Sequence, residues 1–110
     1  MNYVEFETGN DVYKLRLNTR NVIKLEKLLG GSPLKLFTGM SETEMPTVES
    51  MVNVLYCALL ANQDKVTIDK AYNIFDEWLD NGHIIAEFLP IIIELYRSAG
   101  LIQKENGEKN

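Results

Sequence analysis

With 110 residues, 45% of them hydrophobic and 25% charged, the chain has the composition of one globular domain with a single core, which argues against wholesale disorder. The net charge of −5 is unevenly spread. Residues 1–39 carry six Lys/Arg and four Asp/Glu, giving +2, whereas residues 40–110 carry five and twelve, giving −7, so most of the chain repels phosphate backbones and a nucleic-acid partner is not expected.

Residues 3–7 alternate, with Tyr3, Glu5 and Glu7 on one side and Val4 and Phe6 on the other. Residues 12–17 alternate again, Val12, Tyr13, Leu15 and Leu17 against Lys14 and Arg16. The intervening Thr8-Gly9-Asn10-Asp11 has turn composition, so the period of two predicts a β-hairpin over 3–17. A lone hairpin is marginal in water and must lay one face on the helices. Asn18 or Thr19 can cap a first helix over 19–29. Val22, Leu25 and Leu29 share one face of it, Leu28 flanks them, and Gly30-Gly31 supplies the left-handed turn that ends it. Ser32-Pro33, a cap followed by proline at the first helical position, opens a short helix over 33–38, stopped near Gly39.

Residues 40–45 are a polar linker before the strongest helix, 47–61. Val48, Met51, Val52, Leu55 and Leu59 form a stripe at i, i+3 and i+4, widened by Val54, Tyr56 and Ala58, and this should be the central buried helix. Thr67 can cap a helix over 68–81, whose expected core stripe is Ile68, Ala71, Tyr72, Phe75 and Leu79. The last block, 83–99, is interrupted by Pro90, which has no N–H and clashes with the carbonyl of Ala86, so a kink or break is expected there. If helical phase is kept, Ile85, Phe88, Leu89, Ile92, Tyr96 and Ala99 share one face, with Ile84, Ile91 and Leu95 on an adjacent flank and Ile93 on the other. That apolar arc, about 200°, is wider than the roughly 100° a surface helix buries. Either two sides of the helix are covered within the domain, or the Ile84, Ile91, Leu95 flank meets a partner or a second copy. The fold class is therefore mainly α with an N-terminal β-hairpin: one domain over 1–102 with four to five helices, the last kinked at Pro90, and a polar, disordered tail over 103–110.

No constellation in the chain carries catalysis, a cofactor or a metal. His83, the only histidine, has no partners at ligand or catalytic spacing and reads as a surface or capping residue. Cys57 is the only cysteine, so an intrachain disulfide is excluded, and without a Cys-His-Asn pattern it reads as a structural thiol. Asp76, Glu77 and Asp80 read as a solvated acidic face, because a hard cation needs more oxygen ligands. Gly30-Gly31-Ser32-Pro33 lacks the lysine of a phosphate-binding loop. Trp78, Tyr72 and Phe75 at helical spacing read as core. The N-terminus shows no signal-peptide pattern, and Ile84 to Tyr96, about 13 residues containing Glu87 and Glu94, falls short of the roughly 20 apolar residues of a membrane span. A soluble, cytoplasmic, non-enzymatic protein is expected.

The run Leu15-Arg-Leu-Asn-Thr-Arg-Asn-Val-Ile-Lys-Leu-Glu-Lys-Leu-Leu-Gly30 resembles the opening of the tail assembly chaperones of long-tailed bacteriophages. So do Ser32-Pro-Leu-Lys-Leu-Phe37, the Pro46-Thr47 helix start leading to Ala58-Leu59-Leu60, Val66-Thr-Ile-Asp-Lys-Ala-Tyr72 and Asp76-Glu-Trp-Leu79. The likeness spans about residues 12–100 and rests on cap and core positions. It implies a phage or prophage protein of a bacterial cell that binds the tape measure protein, a long helical chain needing shelter until the tail tube closes round it. Some members of that family also exist in a longer, frameshifted form. The alternative is a small helical adaptor or regulator unrelated to phage, which would equally lack an active site.

Overall fold

The computed structural model describes residues 3–38, 44–63 and 65–103. An antiparallel hairpin, β1 (Val4–Glu7) and β2 (Val12–Leu15), leads into α1 (Thr19–Leu29), a 3-10 helix (Pro33–Phe37), α2 (Val48–Leu59), α3 (Ile68–Asp80), a second 3-10 helix (Ile85–Glu87) and α4 (Phe88–Ser98). This is the α+β arrangement expected from the hairpin and helix signals.

The hairpin register pairs Val4 with Leu15 and Phe6 with Tyr13, which puts Val4, Phe6 and Leu15 on the buried face and leaves Glu5, Glu7 and Lys14 in water. Its turn closes through the Thr8 N–H donating to the Asp11 carbonyl at 3.0 Å. Gly9 takes φ 102° there, and a Cβ at this position would come within 2.7 Å of the Asn81 side chain at the end of α3. Two bonds then dock β2 and the residue after it on the end of α2: the Arg16 N–H donates to the Ala58 carbonyl at 3.1 Å, and the Asn62 amide donates to the Lys14 carbonyl at 3.0 Å.

In each helix but one, the side chain of the residue just before the helix accepts an orphan N–H. Asn18 caps α1 by accepting from the Asn21 N–H at 2.9 Å, Thr47 caps α2 from Ser50 at 3.1 Å, and Thr67 caps α3 from Lys70 at 3.1 Å. Ser32 accepts the Leu34 N–H at 3.1 Å, with Pro33 in the first turn, but five residues make a 3-10 helix rather than an α-helix. Gly30, at φ 78°, returns its N–H to the Glu26 carbonyl and ends α1. The exception is the last block. Helix begins at Ile85 rather than at residue 83, as a 3-10 turn, and becomes α-helix at Phe88, so Pro90 stands in the first turn of α4, where a missing N–H costs little. The interruption expected at Pro90 is thus a change of helix type just before it. Gly39, the linker residues 40–43 and the tail residues 104–110 lie outside the described residues.

α2 is the central helix. Met51, Val52, Val54, Leu55, Cys57, Ala58 and Leu59 are all buried, so its sequence stripe is only part of what it hides. α1, α3, β2 and α4 all pack on it. A second centre is aromatic. Phe6 of β1, Phe75 and Trp78 of α3 and Phe88 of α4 stack and edge together with centroids 5.3–5.8 Å apart. A third tie joins the first 3-10 helix to α4: Phe37 meets Tyr96 edge-on at 5.9 Å, and the buried Tyr96 hydroxyl donates to the Pro33 carbonyl at 2.9 Å.

Two of the expected helix stripes lose a member, and that of α1 is kept. On α3 the buried set is Ala71, Ile74, Phe75 and Trp78, while Tyr72 is 47% exposed. The helix is rotated to hide the indole, which offers more apolar surface than Tyr72 and leaves the phenol hydroxyl to water. On α2, Val48 is 45% exposed, because the first turn of that helix projects beyond the core. On α1, Leu25 is fully buried, Val22 and Leu29 are half-buried, and Leu28 is exposed.

Candidate functional site

His83 lies at the junction between α3 and α4. Its ring stacks on Trp78, 4.7 Å between centroids and 7° between planes, and its Nδ1–H donates to the Glu87 carboxylate at 2.8 Å. The same carboxylate oxygen accepts the Ile84 N–H at 3.3 Å. The hydrogen bond from His83 first, and that from Ile84 second, hold the Glu87 carboxyl below its ordinary range. This arrangement clamps the start of the last helical block, a capping role.

Cys57 is fully buried on α2. Burial pushes its thiol up to about 12, with Lys24 pulling weakly the other way, so the nucleophilic thiolate is suppressed at neutral pH. Asp76, Glu77 and Asp80 are exposed on α3, and among the described residues no group of three or more His, Cys, Asp or Glu side chains could hold a metal ion. Gly30 serves as a helix cap. Phe75 and Trp78 are core, as their spacing suggested, and Tyr72 is not.

The Ile84, Ile91, Leu95 flank is split by the structure. Leu95 has no exposed surface and belongs to the buried set Phe88, Ile92, Leu95 and Tyr96, so it cannot touch a partner. The buried arc of α4 is wide enough to take in that edge of the flank. Ile91 is half-buried against the core. Ile84, before the helix proper, is 63% exposed, the most exposed large apolar side chain among the described residues.

Two further surfaces come from residues that periodicity had placed in the core or passed over. Between α2 and α3 lies an open groove with Val52 and Phe75 at its base, Val48 and Tyr72 as apolar walls, and the exposed carboxylates Glu49 and Asp76 on its rim. On α1, Arg20, Ile23 and Lys27 are all exposed, Ile23 by 48%, and stand at i, i+3 and i+7 on one stripe. Ile23 was readable beforehand as an apolar residue between Arg20 and Lys27, with the exposed Glu26 beside it. The groove was not, because Val48 and Tyr72 fit apolar stripes.

The architecture is that of a small α+β domain. The chain matches the family of unknown function DUF6096 over residues 4–110, and it belongs to that family. No curated protein and no solved structure matches it. Among the described residues no helix is long and apolar enough to cross a membrane.

Proposed function

We propose that the protein is a non-enzymatic tail assembly chaperone of a phage or prophage, which binds the tape measure protein in the bacterial cytoplasm and keeps it soluble until the tail assembles. The order of parts supports this reading: hairpin, Asn18-capped helix closed by Gly30, Ser32-Pro33 turn, then helices capped by Thr47 and Thr67. The observation that carries it is Ile84, left in water at 63% exposure at the entrance to the last helical block, with half-buried Ile91 seven residues on. Amphipathic helices of a tape measure chain present the apolar side chains that such a surface takes up.

The test is co-expression with the tape measure protein that this reading requires to be encoded beside the gene. The wild-type chain should raise that protein's soluble fraction and co-purify with it, and Ile84→Asp should lower both while leaving the thermal melt unchanged. Leu95→Asp, by contrast, should unfold the domain. Failure of the wild-type chain to solubilise its neighbour would overturn the reading and favour the adaptor. Undiminished binding by a folded Ile84→Asp variant would move the surface elsewhere.

A further inference from the structure

The basic stripe of α1 and the acidic-rimmed groove between α2 and α3 are counterparts in order and in charge. Along α1 the sequence of side chains is basic, apolar, basic: Arg20, Ile23, Lys27, spanning about 10 Å at the helical rise. Across the groove it is acidic, apolar, acidic: Glu49, the Val48 and Tyr72 walls, Asp76. We propose that a second copy of this chain occupies the groove, seating Ile23 between Val48 and Tyr72 while Arg20 and Lys27 meet Glu49 and Asp76. The inference does not depend on the tape measure reading.

A chain cannot fill its own groove with its own stripe. α1 is held on α2 by the fully buried Leu25, and its stripe is what remains in water on the far side of that contact. The complementarity therefore has to be satisfied between molecules. Of the neighbouring charges, the exposed Glu26 borders the stripe about 60° round α1 from Ile23, on the side away from Arg20 and Lys27, and the two neighbouring lysines do not spoil the match. Lys24 is drawn over the Tyr56 ring, 5.7 Å from its centroid, and Lys70 lies about a third of a turn round α3 from Asp76. The division of charge along the chain, +2 over residues 1–39 and −7 over 40–110, acts in the same direction by steering unlike faces together. A foreign basic helix could enter the same groove. The second copy is favoured because its complementary stripe is already present at the protein's own concentration.

Sedimentation equilibrium of the whole chain tests the proposal, with salt at about 0.02 M and about 0.5 M to bracket the range over which exposed charges become screened. The wild type should self-associate in the micromolar to millimolar range and do so less at high salt. Arg20→Glu with Lys27→Glu, or Glu49→Lys with Asp76→Lys, should each weaken association about tenfold or more, since each sets like charges face to face. Mixing the two double variants should restore it, because the reversed stripe of one then meets the reversed groove of the other. All four side chains are exposed, so both variants should melt near the wild type; if a double variant unfolds, Lys27→Glu and Asp76→Lys are read singly and as a mixture in the same way. A wild type that stays monomeric at about 1 mM in low salt, reversals that leave association untouched, or a mixture that remains monomeric would each overturn the proposal.

Discussion

α2 and α3 are neighbours of nearly equal length, 12 and 13 residues, yet they meet the protein in opposite ways. α2 is enclosed: beyond its first turn, its side chains are buried or half-buried. α3 buries one face, Ala71, Ile74, Phe75 and Trp78, and turns Asp69, Tyr72, Asp76 and Asp80 to water. An enclosed helix forgives an error of phase, since each direction leads to core. A one-faced helix does not, and its largest apolar side chain, here Trp78, decides the rotation. The difference also separates their roles: α2 holds the domain together, and α3 supplies charged surface.

The comparison breaks most readily at its centre. Leu55→Ala should cost about 2–5 kcal/mol, the range for a fully buried leucine, whereas Tyr72→Ala should stay within about 0.5 kcal/mol. Urea unfolding of both variants measures this, and equal losses would mean that α3 is as enclosed as α2. A smaller effect probes the tie from α4 to the first 3-10 helix. Tyr96→Phe removes the donor to the Pro33 carbonyl and leaves that acceptor buried and unpaired, at about 1–3 kcal/mol. A neutral Tyr96→Phe would show that water reaches the carbonyl.

The enclosure of α2 can be sharpened through Cys57. At pH 8 a thiol reagent should label it only as fast as the domain opens, so the rate should climb with urea in step with unfolding; fast labelling of native protein would refute the burial. The same shift sets a pH dependence. The folded thiol titrates near 12 and the unfolded one near 9, so stability is intact below pH 9 and falls as pH rises through that window, and Cys57→Ala should flatten the fall. The smallest effect belongs to the exposed clamp at the end of α3. Because the Glu87 carboxyl is held below its ordinary range of about 4.3, its contribution is present at neutral pH and lost as pH falls below that range. Glu87→Gln should therefore lower Tm slightly at pH 7 and not at all at pH 3.

What could be read in the sequence was local. Asn18, Thr47 and Thr67 announce helix starts because a cap needs only the next three residues, and Gly30 ends α1 for an equally local reason. Alternation placed Val4, Phe6, Leu15 and Leu17 on the inner face of the hairpin for the same kind of reason, whereas Val12, grouped with Leu15 and Leu17, is 52% exposed. Rotation of a helix about its axis is a tertiary outcome. Tyr72 and Trp78 compete for one core, and nothing within α3 says that Phe6 and Phe88 will come to meet the indole. Leu95 illustrates the same gap, because an apolar arc too wide for one contact gives no sign of which edge will be left outside. Of the surfaces, Ile84 was legible and remains exposed, and the groove walls became visible only once α2 and α3 were set side by side.

The aromatic centre has a consequence for how the chain is made. Phe88, the ring that closes over Phe6, is synthesised about 80 residues after it. At ribosomal rates of about 5–20 residues per second, the hairpin waits some ~4–16 seconds for its partner, and longer while the last helix clears the exit tunnel. Until then Val4, Phe6 and Leu15 have only part of the surface that covers them in the finished domain. The domain can therefore close its aromatic centre only once the last helix has been made, and during that interval the nascent chain itself is the one in need of shelter.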